Sequence, residues 1–191
     1  LIDNKLSSPK LLSHEHGLSV WIEADGRKIL FDTGQSDRFL HNAVFMGIDV
    51  HQADALVLSH GHYDHTGGLP SFLSGSPSVP IYGHPGITRS RFSRRPEGGM
   101  KPIGIAQSSL DALETAGRDV CLVTSPVMIS DSIGITGPIP RVSDFENTGR
   151  TFSFDIEGHI TDPVEDDLSM WFRTQAGLVV VTGVHRRLMR P

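Results

Sequence analysis

Four side chains that bind metal crowd into the run Ser59-His60-Gly61-His62-Tyr63-Asp64-His65-Thr66-Gly67-Gly68, spaced H-x-H-x-D-H. A divalent ion takes several N or O donors at about 2.0–2.2 Å, and crowding of this kind supplies them from one short segment. If the chain stays extended after the apolar run Ala55-Leu56-Val57-Leu58, His60 and His62 point to the same side. Asp64 and His65 come after a turn, where the glycines begin, and face a second point nearby. The spacing predicts two adjoining metal positions, one held by His60 and His62 and the other by Asp64 and His65. Neutral imidazoles with one or two carboxylates suit Zn²⁺, and Mn²⁺ or Fe²⁺ can take the same donors. Such an ion lowers the pKa of its water toward about 7 and supplies hydroxide at neutral pH. Asp64 is then the candidate catalytic residue, holding that water or passing a proton to a leaving group. The bland competitor is a set of solvated or capping histidines on a polar loop.

The flanking elements must aim these groups. Leu18–Ala24 reads as a strand, Asp25-Gly26 as a two-residue hairpin turn, and Lys28–Phe31 as the partner strand that delivers Asp32. A carboxylate there can fix a ligand imidazole from behind, although a simple Asp32-Thr33-Gly34 turn is the alternative. Ser36–Met46 reads as a helix with Phe39, Leu40, Ala43, Val44 and Met46 along one side, stopped by Gly47. A strand over Ala55–Leu58 precedes the cluster. A helix near Leu69–Leu73 follows it, with Pro70 tolerated only in its first turn. Val79–Tyr82 is a further strand leading to His84-Pro85. Ser109–Ala116 is a weak helix, and Val120–Thr124 and Gly134–Thr136 are short strands. Leu168–Arg173 and Leu178–Thr182 form a second hairpin around Gln175-Ala176-Gly177. Arg89, Arg91, Arg94 and Arg95 read as a solvated loop, or as receivers of a substrate phosphate.

At 191 residues the chain suits one domain, with 38% hydrophobic and 20% charged residues. A net charge of −5 argues against nucleic acid as a partner. No apolar run reaches the ~20 residues that span a bilayer, so no membrane is expected as a partner either. The single cysteine, Cys121, excludes an internal disulfide, reads as a buried core thiol and fits a reducing, cytoplasmic setting. The first residue is Leu1 rather than Met, which fits a trimmed or fragmentary chain.

The run SHGHYDHTGG resembles the signature of the metallo-β-lactamase superfamily of metal-dependent hydrolases. Glu15-His16-Gly17-Leu18-Ser19, Leu30-Phe31-Asp32-Thr33-Gly34-Gln35 and Thr136-Gly137-Pro138-Ile139-Pro140-Arg141 resemble one branch of it. That branch is labelled 7,8-dihydropterin-6-yl-methyl-4-(β-D-ribofuranosyl)aminobenzene 5′-phosphate synthase-like. The resemblance implies an α/β fold, an αββα sandwich of two mixed sheets flanked by helices and incomplete at both termini. It implies Asp32 as support for the metal ligands, a later ligand from the Asp166-Asp167 pair (Asp167 the candidate, with Asp166 or two polar turn residues as the alternatives), and His185 as the final one. Around that last position the chain reads Thr182-Gly183-Val184-His185, with its histidine one residue earlier than in relatives. His84 and Arg141 are the implied substrate contacts, against structural and salt-bridge readings. The expected activity is metal-assisted hydrolysis of a small ester or phosphoester. The rivals are a phosphoribosyl-type transferase and a non-catalytic metal binder.

Overall fold

The Asp25-Gly26 turn has φ of 52° and 68° at its two residues, the left-handed pair that a type I′ hairpin requires. It joins β1 (Val20–Ala24) to β2 (Arg27–Phe31) in antiparallel register, Val20 opposite Phe31. From β2 the sheet continues in parallel through β3 (Ala55–Val57), β4 (Ile81–Gly83) and, later in the chain, β7 (Val120–Leu122). The computed structural model describes residues 1–5, 12–75, 78–115, 120–140 and 152–184.

Alternation along β2 and β3 splits the core into two layers. Leu30, Leu56, Leu58 and Ile81 pack with Phe39 and Ala43 of α1 (Arg38–Phe45), Leu69 and Phe72 of α3 (Leu69–Gly75), and Leu113 of α4 (Gln107–Thr115). Ile29, Phe31 and Val57 pack the other way, against Ile133, Ile135, Met170 and Phe172. Those four residues belong to an antiparallel sheet ordered β12-β11-β9-β8. Its strands are β8 (Val127–Ser130), β9 (Ile133–Ile135), β11 (Ser169–Thr174) and β12 (Gly177–Thr182). A strand buried on both faces must be apolar throughout, which is why β3 reads as an unbroken hydrophobic run. Each such side chain contributes roughly 1.5–3 kcal/mol on burial.

The expected helix and strand positions hold to within a few residues, and Pro70 sits in the first turn of α3. Several expectations are corrected. Val44 and Met46 face water at 79% and 52% exposure, because α1 presents only Phe39, Leu40 and Ala43 to the sheet. Cys121 is exposed, because β7 is the outermost strand of its sheet among the described residues. The arginine-rich stretch is not merely a loop. It holds β5 (Phe92–Arg94) and β6 (Met100–Pro102), which with β10 (Phe152–Ser153) form a small antiparallel sheet. Among the described residues no helix is long and apolar enough to cross a membrane.

Candidate metal centre

The chemistry-bearing groups gather at the carboxyl ends of the parallel strands, the edge where open α/β sheets place their ligands. β2 ends at Asp32, whose N–H donates to the Val57 carbonyl at 2.9 Å and whose φ is 58°. This left-handed turn of a fully buried Asp swings its carboxylate toward the end of β3. Asp32 Oδ1 accepts from the Ser59 backbone N–H at 2.7 Å, and Oδ2 accepts from the Ser59 hydroxyl at 2.6 Å. Oδ2 also meets His65 Nδ1 at 2.7 Å.

This network fixes two tautomers. Having given its only hydrogen to Asp32, Ser59 Oγ can only accept from His60 Nδ1, 2.9 Å away. His60 and His65 therefore both carry their hydrogen on Nδ1 and their lone pair on Nε2 when neutral. One buried carboxylate thus contacts two imidazoles, His65 directly and His60 through Ser59.

The rings are close. His60 lies 4.2 Å from His65 and 4.5 Å from His62, centroid to centroid. His62 is the residue before α2 (Tyr63–Thr66), and that short helix turns Asp64 and His65 back toward His60. Asp64 Oδ2 lies 3.6 Å from His65 Nε2. His60, His62, Asp64 and His65 are all at least nine-tenths buried. His62 Nε2 is buried and has no hydrogen-bond partner among the described residues. Burial first, then the charges of Arg91, His65 and His16, lower the His62 pKa to about 3, so its ring is neutral at pH 7. Burial alone would lower His65 too. Asp32, by charge and hydrogen bond, then Asp64 and Asp167 outweigh it and raise the pKa.

Four further residues stand around the cluster. His16 Nε2 lies 3.2 Å from Asp64 Oδ2, while its Nδ1 meets the Asn4 side-chain oxygen at 2.7 Å. With the Nδ1 hydrogen donated to Asn4, His16 turns Nε2 toward a carboxylate oxygen, a pair of donors suited to a shared cation. Sequence reasoning assigns His16 no role beyond membership of its motif. Asp166 Oδ2 accepts from the Gly61 N–H at 2.8 Å and from Arg91 at 2.7 Å, and is committed there. Its neighbour Asp167, 2% exposed, is the member of the pair whose charge acts on His65. Arg91, a loop residue by its sequence, is 2% exposed, because two buried carboxylates compensate its charge.

His84 does not reach the cluster through Nδ1, which accepts the Gly86 N–H at 3.0 Å and caps the turn at Pro85–Thr88. Arg141 and His185 lie outside the described residues. Among the described residues no three His, Cys, Asp or Glu side chains close up into a finished metal cage. The donor chemistry nevertheless fits a divalent ion: neutral or tautomer-fixed imidazoles, a buried carboxylate, and an unpartnered ring nitrogen. An open hollow of about 320 Å³ between α3 and α4, lined by Pro70, Leu73 and Ala112, lies apart from this centre.

A family model described as the metallo-beta-lactamase superfamily matches residues 13–183. The chain belongs to the metallo-β-lactamase superfamily, whose members generally bind divalent metal, usually zinc. It is 30% identical over 180 residues to the 7,8-dihydropterin-6-methyl-4-(beta-D-ribofuranosyl)-aminobenzene-5'-phosphate synthase of Methanocaldococcus jannaschii, covering 88% of this chain and 60% of that protein. A hydroxyacylglutathione hydrolase of Salmonella typhi is 26% identical over 136 residues, covering 68% of this chain and 51% of its own. The crystal structure of a metal-dependent hydrolase of the beta-lactamase superfamily superposes with a TM-score of 0.74 at 29% identity, covering 97% of this chain and 64% of that one. The chain thus spans about three-fifths of the length of the synthase and of the crystallised hydrolase.

Proposed function

We propose that this protein is a metal-dependent hydrolase acting on a small ester or phosphoester. One observation carries the reading: Asp32 orients His60, through Ser59, and His65, directly, around a buried cluster that also holds His62 and Asp64. Building such a network takes a buried carboxylate and four polar side chains out of water, which stability alone does not favour.

His60, His62, Asp64, His65 and Asp167 would hold the ion, with His16 at the rim beside Asp64. When bound, a divalent metal, most readily Zn²⁺, supplies Lewis acidity and makes water a better nucleophile at neutral pH. The chain's own residues do the rest. Asp32 holds the two tautomers. Asp64, with His16 and His65 on either side of Oδ2, is placed to hold or pass a proton. Phe152 stands edge-on to His62 at 5.1 Å and walls the site on one side. The Arg89 guanidinium lies 3.6 Å over the Phe154 ring close by, a flat cationic surface suited to an aromatic or anionic small molecule.

A second reading, a phosphoribosyl-type transferase, is favoured by the 30% identity to the archaeal synthase. One assay separates the two. Protein loaded with Zn²⁺ or Mn²⁺ is offered phosphate and carboxylic esters, and separately phosphoribosyl pyrophosphate with an aromatic acid, and the products are identified. Ester turnover that vanishes with a chelator supports the hydrolase. Coupling without ester turnover supports the transferase. Less than one ion bound per chain, with neither activity, overturns both.

A further inference from the structure

We infer that Arg91 and Asp166 form a buried latch that positions the His60–His62 loop and so sets how tightly it grips a divalent ion. The inference rests on the metal reading above. Arg91 is the largest fully buried side chain in the described structure, and its two arms separate two carboxylates. Nη1 donates to Asp162 Oδ2 at 2.7 Å, and Nη2 to Asp166 Oδ2 at 2.7 Å and to the Gly86 carbonyl at 3.1 Å. Asp162 and Asp166 are at most 1% exposed, so one buried guanidinium faces two buried carboxylates.

The two carboxylates do different work. Asp162 Oδ1 accepts the Val164 N–H at 2.8 Å and braces a turn in which Val164 has a φ of 56°. That left-handed backbone is strained for a β-branched residue and persists only where its surroundings hold it. The turn delivers Asp166, whose Oδ2 takes the Gly61 N–H, the peptide between His60 and His62. The segment that carries Arg91 grips the same loop again: the Arg91 carbonyl accepts from Ile103 at 2.8 Å, and the Ile103 carbonyl accepts from Tyr63 at 3.0 Å. Gly61 itself has no room to shift, since a Cβ there would run into the Ile87 carbonyl. Two imidazoles two residues apart are thus held from behind by an ion-pair chain that never touches the metal position. Arg91 and Asp166 are positioning residues.

The alternative is a staple that only secures the small sheet. Because the Asp162 carboxylate bonds to Arg91 and the Val164 turn, while that of Asp166 bonds to Gly61, the two roles separate on substitution. The apo protein is titrated with Zn²⁺ against a chelator and with Co²⁺ by visible absorption, and its urea midpoint is measured in parallel. Asp166→Ala is expected to weaken Zn²⁺ binding about tenfold or more and to shift the Co²⁺ bands. Asp166→Asn, which keeps an oxygen for Gly61, should recover most of that affinity. Asp162→Asn should lower the urea midpoint while leaving the Zn²⁺ Kd within about threefold of wild type. Should Asp166→Ala fail to fold, amide exchange in the wild type decides: the Gly61 N–H is expected to be as protected as those of β3. Asp166→Ala binding within threefold of wild type, an Asp162→Asn loss as large as that of Asp166→Ala, or a Gly61 amide exchanging like an open loop overturns the latch. Wild-type protein that takes up no metal instead sinks the metal reading, and the latch with it.

Discussion

Asp32 and His62 show how single residues prepare the centre. Replacing Asp32 with Asn keeps its volume but puts an N–H₂ where one carboxylate oxygen accepted, so His60 and His65 lose their shared anchor. Metal affinity should fall about 10–100-fold, read by chelator competition, with the fold retained by circular dichroism. Unchanged affinity would remove Asp32 from the role assigned to it. His62 predicts a pH dependence of the metal-free protein. Its folded pKa near 3 lies below the 6.5 of an unfolded chain, so the unfolded state takes up a proton that the folded state refuses. Stability is therefore lost as pH falls from 6.5 toward 3, by about 1.4 kcal/mol per pH unit. His65 acts in the opposite sense. Its folded pKa is raised, so its contribution is complete below 6.5 and disappears as pH climbs through the folded value. In His62→Gln the loss of unfolding free energy between about pH 6.5 and about pH 5 should shrink by about 2 kcal/mol. Urea titrations at the two pH values measure it, and an unaltered difference would show that His62 does not carry the effect.

At the scale of elements, strands and turns were readable because each follows from local chemistry. Asp25-Gly26 can take positive φ, Pro70 can begin a helix, and β3 is apolar on both faces because both are covered. The crowding of His60, His62, Asp64 and His65 was readable for the same reason, as they lie within six consecutive residues. The parts that sequence reasoning missed are long-range. Arg91 meets Asp162 across 71 positions, and Gly61 meets Asp166 across 105. No periodicity or turn signal marks such partners, and an arginine beside three others looks solvated until a fold buries it. The three-residue strands of the small sheet are likewise too short to announce themselves. Arg91→Met tests the weight of this long-range chemistry. Removing the cation leaves two buried carboxylates facing each other, so unfolding free energy should fall by about 3–5 kcal/mol. A loss below about 1 kcal/mol in a urea titration would mean that water already reaches these groups.

For the whole molecule, the two faces of the antiparallel sheet differ sharply. Its inner face carries Ile133, Ile135, Met170 and Phe172, each at most 4% exposed. On the outer face the register lines up Met128 with Gly134, Gly134 with Trp171, and Trp171 with Val180, one row across all four strands. Met128 and Val180 are 55% and 52% exposed, and Leu178, two residues before Val180 on the edge strand β12, is 65% exposed. A contiguous apolar row that runs out to β12, an edge strand among the described residues, is a surface through which copies should associate. Charges there remove little packing, because the side chains are already half in water. The double variant Leu178→Glu with Val180→Lys should therefore change the unfolding free energy by only about 0.5 kcal/mol. It should also markedly lower light scattering of the concentrated protein. Since β12 meets the Asp32–Ser59 network at Gly183, past its end, and not through the outward-facing Leu178 or Val180, the variant's metal content should equal that of the parent chain. Equal scattering by variant and parent would place the association surface elsewhere, and a loss of metal would show that Leu178 and Val180 act on the centre.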